Sequence, residues 1–175
     1  LWKADSAMQS YRSTAVTDLD GDGSEEVLFG DKNTRLYCLD ARGVQRWSTQ
    51  MDGRGIFSAP AVADLEGSGQ ALIFAVVRGA GVNGQSLHVL DAAGKLVRSL
   101  SLPGGGGGSP ILCRFEGRKD VTLLVLSGGG QLLCYRLPQK PEAVRILWPG
   151  LRNDVLNSGF VPSRAKVVQT PTAAE

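Results

Sequence analysis

Residues 17–30, Thr-Asp-Leu-Asp-Gly-Asp-Gly-Ser-Glu-Glu-Val-Leu-Phe-Gly, place carboxylates at alternate positions, Asp18, Asp20 and Asp22, and follow them with Glu25 and Glu26 at the start of an apolar run. Like charges this close repel by about 1 kcal/mol per pair even in water, so a positive charge belongs among them. With Asp18 as position 1, acids fall at positions 1, 3, 5 and 9, the last being Glu26, and Ser24 stands at position 7. Calcium takes about six to eight oxygens, with alternate side chains turned inward and a main-chain carbonyl near position 7. Gly21 and Gly23 permit the sharp backbone turn that such a loop needs. The calcium loop with an acid at position 12 fits less well, because that position is Phe29. Magnesium keeps its waters more tenaciously than calcium, and a solvated acidic turn without metal is the plainest alternative.

The elements that must carry this loop emerge when the chain is laid against itself. Residues 13–30 align with 59–76 and, more faintly, with 109–126; residues 35–48 align with 86–99 and then with 131–147. Each unit reads as four short strands: one before the acidic loop, one after it, and two more joined by a turn rich in Gly, Asp and Asn. Runs such as Ala-Leu-Ile-Phe-Ala-Val-Val (71–77) are apolar on both faces, as in a sheet packed between two others. Four-stranded sheets repeating every 40 to 50 residues or so are the signature of a β-propeller.

The expected fold is therefore all-β, a propeller segment of about three four-stranded blades with an extended C-terminal strap and tail. The expected divisions are 1–5 as the outer strand of a preceding blade, 6–50 as the blade with the intact loop, 51–103 and 104–148 as the second and third blades, and 149–175 as strap and tail. Trp148 and Pro149 are expected to pack the strap across the last blade. The glycine run at 103–110 falls between the second and third units as a connection, not a domain boundary. Three blades leave raw sheet faces, so the chain reads as part of a larger propeller or as one of several copies completing a ring. A chain that opens on Leu1 also suggests a processed product or a fragment.

Comparison of the repeats predicts one metal loop. In the second unit Asp64 and Glu66 remain, but Ser68 and Leu72 replace the acids at positions 5 and 9; in the third, Arg114 and Arg118 occupy positions 1 and 5. A guanidinium cannot ligate a cation. One structural calcium is the expectation, and because millimolar calcium is found outside cells, it favours an extracytoplasmic home.

Other classes of function find little support. Lys+Arg number 19 against 17 Asp+Glu, with no basic cluster to suggest nucleic acid. The longest apolar runs fall well short of the roughly 18 to 20 residues that span a bilayer. Cys38, Cys113 and Cys134 show no metal-ligand or redox spacing and read as small apolar residues. The only histidine, His88, lies within a predicted strand, and no nucleophile motif accompanies it, so the chain is not expected to be an enzyme.

Two alignments carry a family resemblance. Residues 15–30 and 59–76 resemble the FG-GAP, or integrin-α-like, calcium-binding propeller repeat. Residues 37–48 and 88–99 resemble repeats of quinoprotein-like bacterial propellers, and the Trp-Pro segment at 147–160 is similar to one flanking such propellers in secreted proteins. The resemblance implies metal ligation by Asp18, Asp20, Asp22, Glu26 and the Ser24 carbonyl, and a secreted, periplasmic or surface location. It also implies protein or glycan partners. Quinone binding is not implied, since the turns here read Ala-Arg-Gly and Ala-Ala-Gly.

The function expected is a non-catalytic, calcium-stabilised module for protein interaction or assembly, with a second copy or further blades as partners. A lectin-like propeller, or the accessory propeller of a polysaccharide-degrading enzyme, is the alternative. The loops at 51–57, with Arg54 and Phe57, and at 78–86 are the candidate contact surfaces.

Overall fold

The computed structural model describes residues 2–4, 14–56, 58–78, 85–137 and 143–150. Twelve strands form three sheets and there is no helix among the described residues. The first sheet runs in chain order, β1 (Ala15–Thr17), β2 (Glu26–Gly30), β3 (Arg35–Leu39) and β4 (Gln45–Gln50), every pair antiparallel. The second repeats it with β5 (Ala61–Asp64), β6 (Leu72–Val76), β7 (Gln85–Asp91) and β8 (Leu96–Ser101). The third has β9 (Ile111–Cys113), β10 (Thr122–Leu126) and β11 (Leu132–Arg136).

Burial follows from the period-2 side-chain alternation of a strand. On β6, Ile73 and Ala75 enter one apolar layer with Leu28, Leu36 and Cys38 of the first sheet. Phe74 and Val76 enter a second layer with Leu112, Leu123 and Val125 of the third. The middle sheet is thus covered on both faces, and three sheets stack as consecutive blades of a propeller.

The stacking is pinned at the outer strands. The turn after β3 is held by Asp40, whose Oδ1 accepts from Arg42 N and Val44 N, both 2.9 Å; Asp91 does the same after β7 with Ala93 N and Lys95 N. Trp47 of β4 reaches the second turn, donating from Nε1 to Ala92 O at 3.0 Å. Its ring lies over Gly94, where a Cβ would come within 2.5 Å of it.

The third unit departs from the expected pattern. Its last strand, β12 (Arg145–Trp148), does not complete the third sheet but pairs antiparallel with β5 of the second. There it also touches β1 and β9, so the three first strands converge on it. Trp148 is buried between the first and second sheets rather than across the last blade, and the Pro149 carbonyl reaches the third sheet, accepting from Leu112 N at 2.7 Å. The reason is burial: β5 is covered along its whole length, and β12 satisfies its otherwise open edge. Residues 103–108 pass between the second and third sheets, where a Cβ on Gly106 would lie 2.2 Å from Val77 O. The glycines are there for close backbone approach. The tail beyond 150 lies outside the described residues.

Candidate metal loop and its neighbours

The first loop folds around its own carboxylates. Asp18 accepts from Gly21 N at 2.7 Å and from Gly23 N at 3.2 Å, while Asp20 Oδ1 accepts from Asp22 N at 3.3 Å and Asp22 Oδ1 from Ser24 N at 2.7 Å. These side-chain turns need residues 21 and 23 in the left-handed region, with φ of 80° and 91°, which glycine adopts without strain. The result brings one oxygen from each of Asp18, Asp20 and Asp22 within 4.8 Å of one another. Oxygen-only donors at this separation are what a hard divalent cation takes. Glu25 is exposed and stands apart.

The two other expected ligands have partners of their own. Ser24 donates its N–H to Asp22. Glu26 is outside the aspartate cluster. As the first residue of β2 it alternates inward with Leu28 and Gly30, and it is only 1% exposed. A buried carboxylate must be partnered. Glu26 Oε2 accepts from Leu19 N at 3.0 Å and Oε1 from Arg46 Nη1 at 2.6 Å, while Arg46 Nη2 bonds Asp20 Oδ2 at 2.6 Å. Arg46 is therefore one positive charge among the carboxylates. Its hydrogen bond draws the Asp20 carboxyl below its ordinary range against the opposing effect of burial. For Glu26 the balance reverses: burial raises its pKa and outweighs both Leu19 N–H and Arg46.

Sequence reasoning missed Arg46. Its signal is a bulge: Cys38 pairs with Trp47 and Leu39 with Gln45, leaving Arg46 as the extra residue. A bulge re-aims the side chain it inserts. The equivalent bulge in the second sheet, between the Val89–Arg98 and Leu90–Leu96 pairs, inserts Val97.

The second loop answers its charge another way. Asp64 is fully buried; its Oδ1 accepts from the N–H groups of Glu66, Gly67 and Ser68 at 2.8 to 3.2 Å, and its Oδ2 from Gly69 N at 2.9 Å. Arg145 of β12 adds a 2.8 Å bond to Oδ2. Burial alone would raise this carboxyl; Arg145 and the loop N–H groups reverse it and hold the pKa below the usual range. In the third loop Arg114 donates to Val144 O at 3.0 Å, and Arg118 and Arg136 flank Asp120.

The remaining candidates are dispersed. His88 is buried in β7, with Nδ1 2.9 Å from Ser99 Oγ and its pKa lowered by burial. Burial pushes the Cys38 thiol up to about 12. The loops expected to make contacts meet at their bases, Arg54 N bonding Arg78 O and Arg78 N bonding Gly55 O, with both arginines exposed. Phe57 and most of the 78–86 loop lie outside the described residues. No helix among the described residues is long and apolar enough to cross a membrane.

Comparison with known proteins gives one family. The profile of the lambda-carrageenase β-propeller domain matches residues 1–102, which include β1 to β8 and the aspartate loop. No curated protein matches the chain. Among solved structures, the V. cholerae biofilm matrix protein Bap1 is similar over 72% of this chain at 20% identity, with a TM-score of 0.47. The match takes in 20% of that chain.

Proposed function

We propose, for a chain that belongs to the lambda-carrageenase β-propeller domain family, that it is a non-catalytic accessory propeller of an extracytoplasmic polysaccharide-active protein, one loop of which is held by calcium. The family match over the first two sheets carries this reading. The aspartate loop supports the calcium part, since it gathers oxygens of Asp18, Asp20 and Asp22 beside the single positive charge that Arg46 brings to Asp20 and Glu26. The location of His88 supports the non-catalytic part: a buried imidazole engaged with Ser99 has no access to a substrate. Rigid sheets that present exposed Arg54 and Arg78 at adjoining loops suit contact with an acidic chain.

Electrophoresis of the chain through gels cast with carrageenan tests the reading. Retarded migration that Arg54→Ala weakens, with no new reducing ends formed, is the expected outcome. Depolymerisation by the chain itself overturns the non-catalytic assignment, and unretarded migration overturns the polysaccharide assignment.

A further inference from the structure

His88, the only histidine of the chain, is set where a positive charge would be poorly received. On β7 it lies opposite Ala75 of β6 and Ser99 of β8. Ala75 belongs to the layer between the first and second sheets, so the imidazole points into that layer, where it is 2% exposed. Nδ1 lies 2.9 Å from Ser99 Oγ, and Nε2 is buried with no hydrogen-bond partner among the described residues. Neutral imidazole carries one donor and one acceptor, whereas imidazolium presents two N–H donors. The second donor would be buried and unsatisfied, as well as charged.

The surrounding groups do little to offset this. The first sheet and the residue after it bring Leu36, Cys38 and Met51 into the layer, and the second sheet brings Ile73 and Leu90. Cys38 is the one ionisable side chain among these, and burial keeps its thiol protonated, with a pKa pushed up to about 12. The charge that acts on the imidazole is Asp52, exposed in the connection from β4 to β5. Burial outweighs its attraction and lowers the His88 pKa.

That connection clamps the two sheets. Met51 N donates to Thr34 O and Ile56 N to Asp31 O, both at 2.9 Å, on the side of the first sheet. On the side of the second, Arg54 N donates to Arg78 O at 3.1 Å and Arg78 N to Gly55 O at 2.9 Å. At Gly53 a Cβ would lie 2.0 Å from Val77 Cγ1, so the backbone rests directly on the apolar layer.

We propose that His88 is a proton-sensitive lock on this join: the closed layer holds the imidazole neutral, and mild acid opens the clamp at residues 51–56 by trapping the imidazolium outside it. The opened form takes up the proton at the ordinary histidine pKa of about 6.5 and the closed form only at lower pH. The join is therefore fully held above that value and loosens as pH falls below it towards the value of the closed form. Neither calcium nor polysaccharide takes part.

Proton NMR and amide hydrogen exchange between about pH 7.5 and 5 test the lock, because a single histidine gives one imidazole C2–H signal for each state. The expected folded-state signal stays at its neutral position. Exchange of the Arg54 and Arg78 amides, corrected for its intrinsic pH dependence, should quicken by about tenfold per pH unit below about 6.5. His88→Gln, which can still bond Ser99 and takes up no proton, should abolish that acceleration. A folded-state signal that titrates with a midpoint of about 6.5 overturns the proposal, since the closed layer then accepts the charge, and this wild-type result decides even where His88→Gln does not fold. Corrected exchange that stays flat as the pH falls, or that quickens equally in His88→Gln, overturns it too.

Discussion

The first and second loops begin alike, with an aspartate that gathers the backbone N–H groups of a Gly-x-Gly turn, and they balance its charge from different sources. In the first, Arg46 arrives from a bulge in the same sheet and bridges Asp20 to Glu26, and the cluster of three aspartates stays open to solvent. In the second the bulge carries Val97, two of the four acids are gone, and Arg145 comes from β12 to a sealed Asp64. One loop keeps its aspartates at the surface, as the proposed calcium site requires, and the other closes on a tethered cation. Similar loop sequences thus reach different environments, decided by a side chain outside the loop.

The largest effect expected from breaking this comparison is at Asp64. Asp64→Ala leaves Arg145 and the loop N–H groups without their acceptor and should cost on the order of 3–5 kcal/mol, read by denaturant unfolding. Asp18→Ala in calcium-free buffer should cost far less, because that loop is solvated. The same carboxylate sets an acid limb. Its folded pKa lies below the unfolded value of about 3.9, so its contribution is present above pH 4 and lost as pH falls through the folded value. Asp64→Asn should flatten stability between about pH 4 and 2.

Calcium should produce the next largest effect, and only through the first loop. At free calcium about a hundredfold above Kd, stability should rise by roughly 2.7 kcal/mol. Calorimetry with and without chelator checks this: Asp20→Asn should remove the shift in melting temperature, while Asp64→Asn should leave it. A wild-type protein indifferent to calcium would sink the metal assignment and leave Arg46 as the loop's own counter-charge.

The smallest effect separates the loop tips. Alanine at Gly21 or Gly67 must adopt the left-handed region at about 1–2 kcal/mol. At Gly67 the new Cβ would also meet Ala143 O at 2.9 Å, whereas at Gly21 its nearest neighbour is Gly69 O at 3.4 Å. Gly67→Ala should therefore be the more destabilising in thermal melts.

The repeats made the strands and the acidic turns legible, since alternation and Gly-Asp turns are local properties. Asp18, Asp20 and Asp22 were legible as a cluster for the same reason. Glu26 was not, because its spacing suits a ligand while its first position on β2 turns it into the core. Arg46 depends on a bulge that shifts one residue against its partner strand, and Arg145 on a pairing with β5, 81 residues from the aspartate it meets. No window of sequence contains both members of either pair. Trp148 lies in a different layer from the one expected because β12, which ends on it, pairs outside its own unit.

That crossing of β12 into the second sheet also fixes an order of assembly. During synthesis β5 to β8 emerge together, yet the open side of β5 and the buried Asp64 wait for a strand made after the whole third sheet. Closing so long a loop is slow relative to forming hairpins. The second sheet is therefore the last to be finished, and a nascent chain stalled before Arg145 carries an ionised side chain with no guanidinium and an inner strand with one bare edge. The last described strand is the latch that ends that exposure.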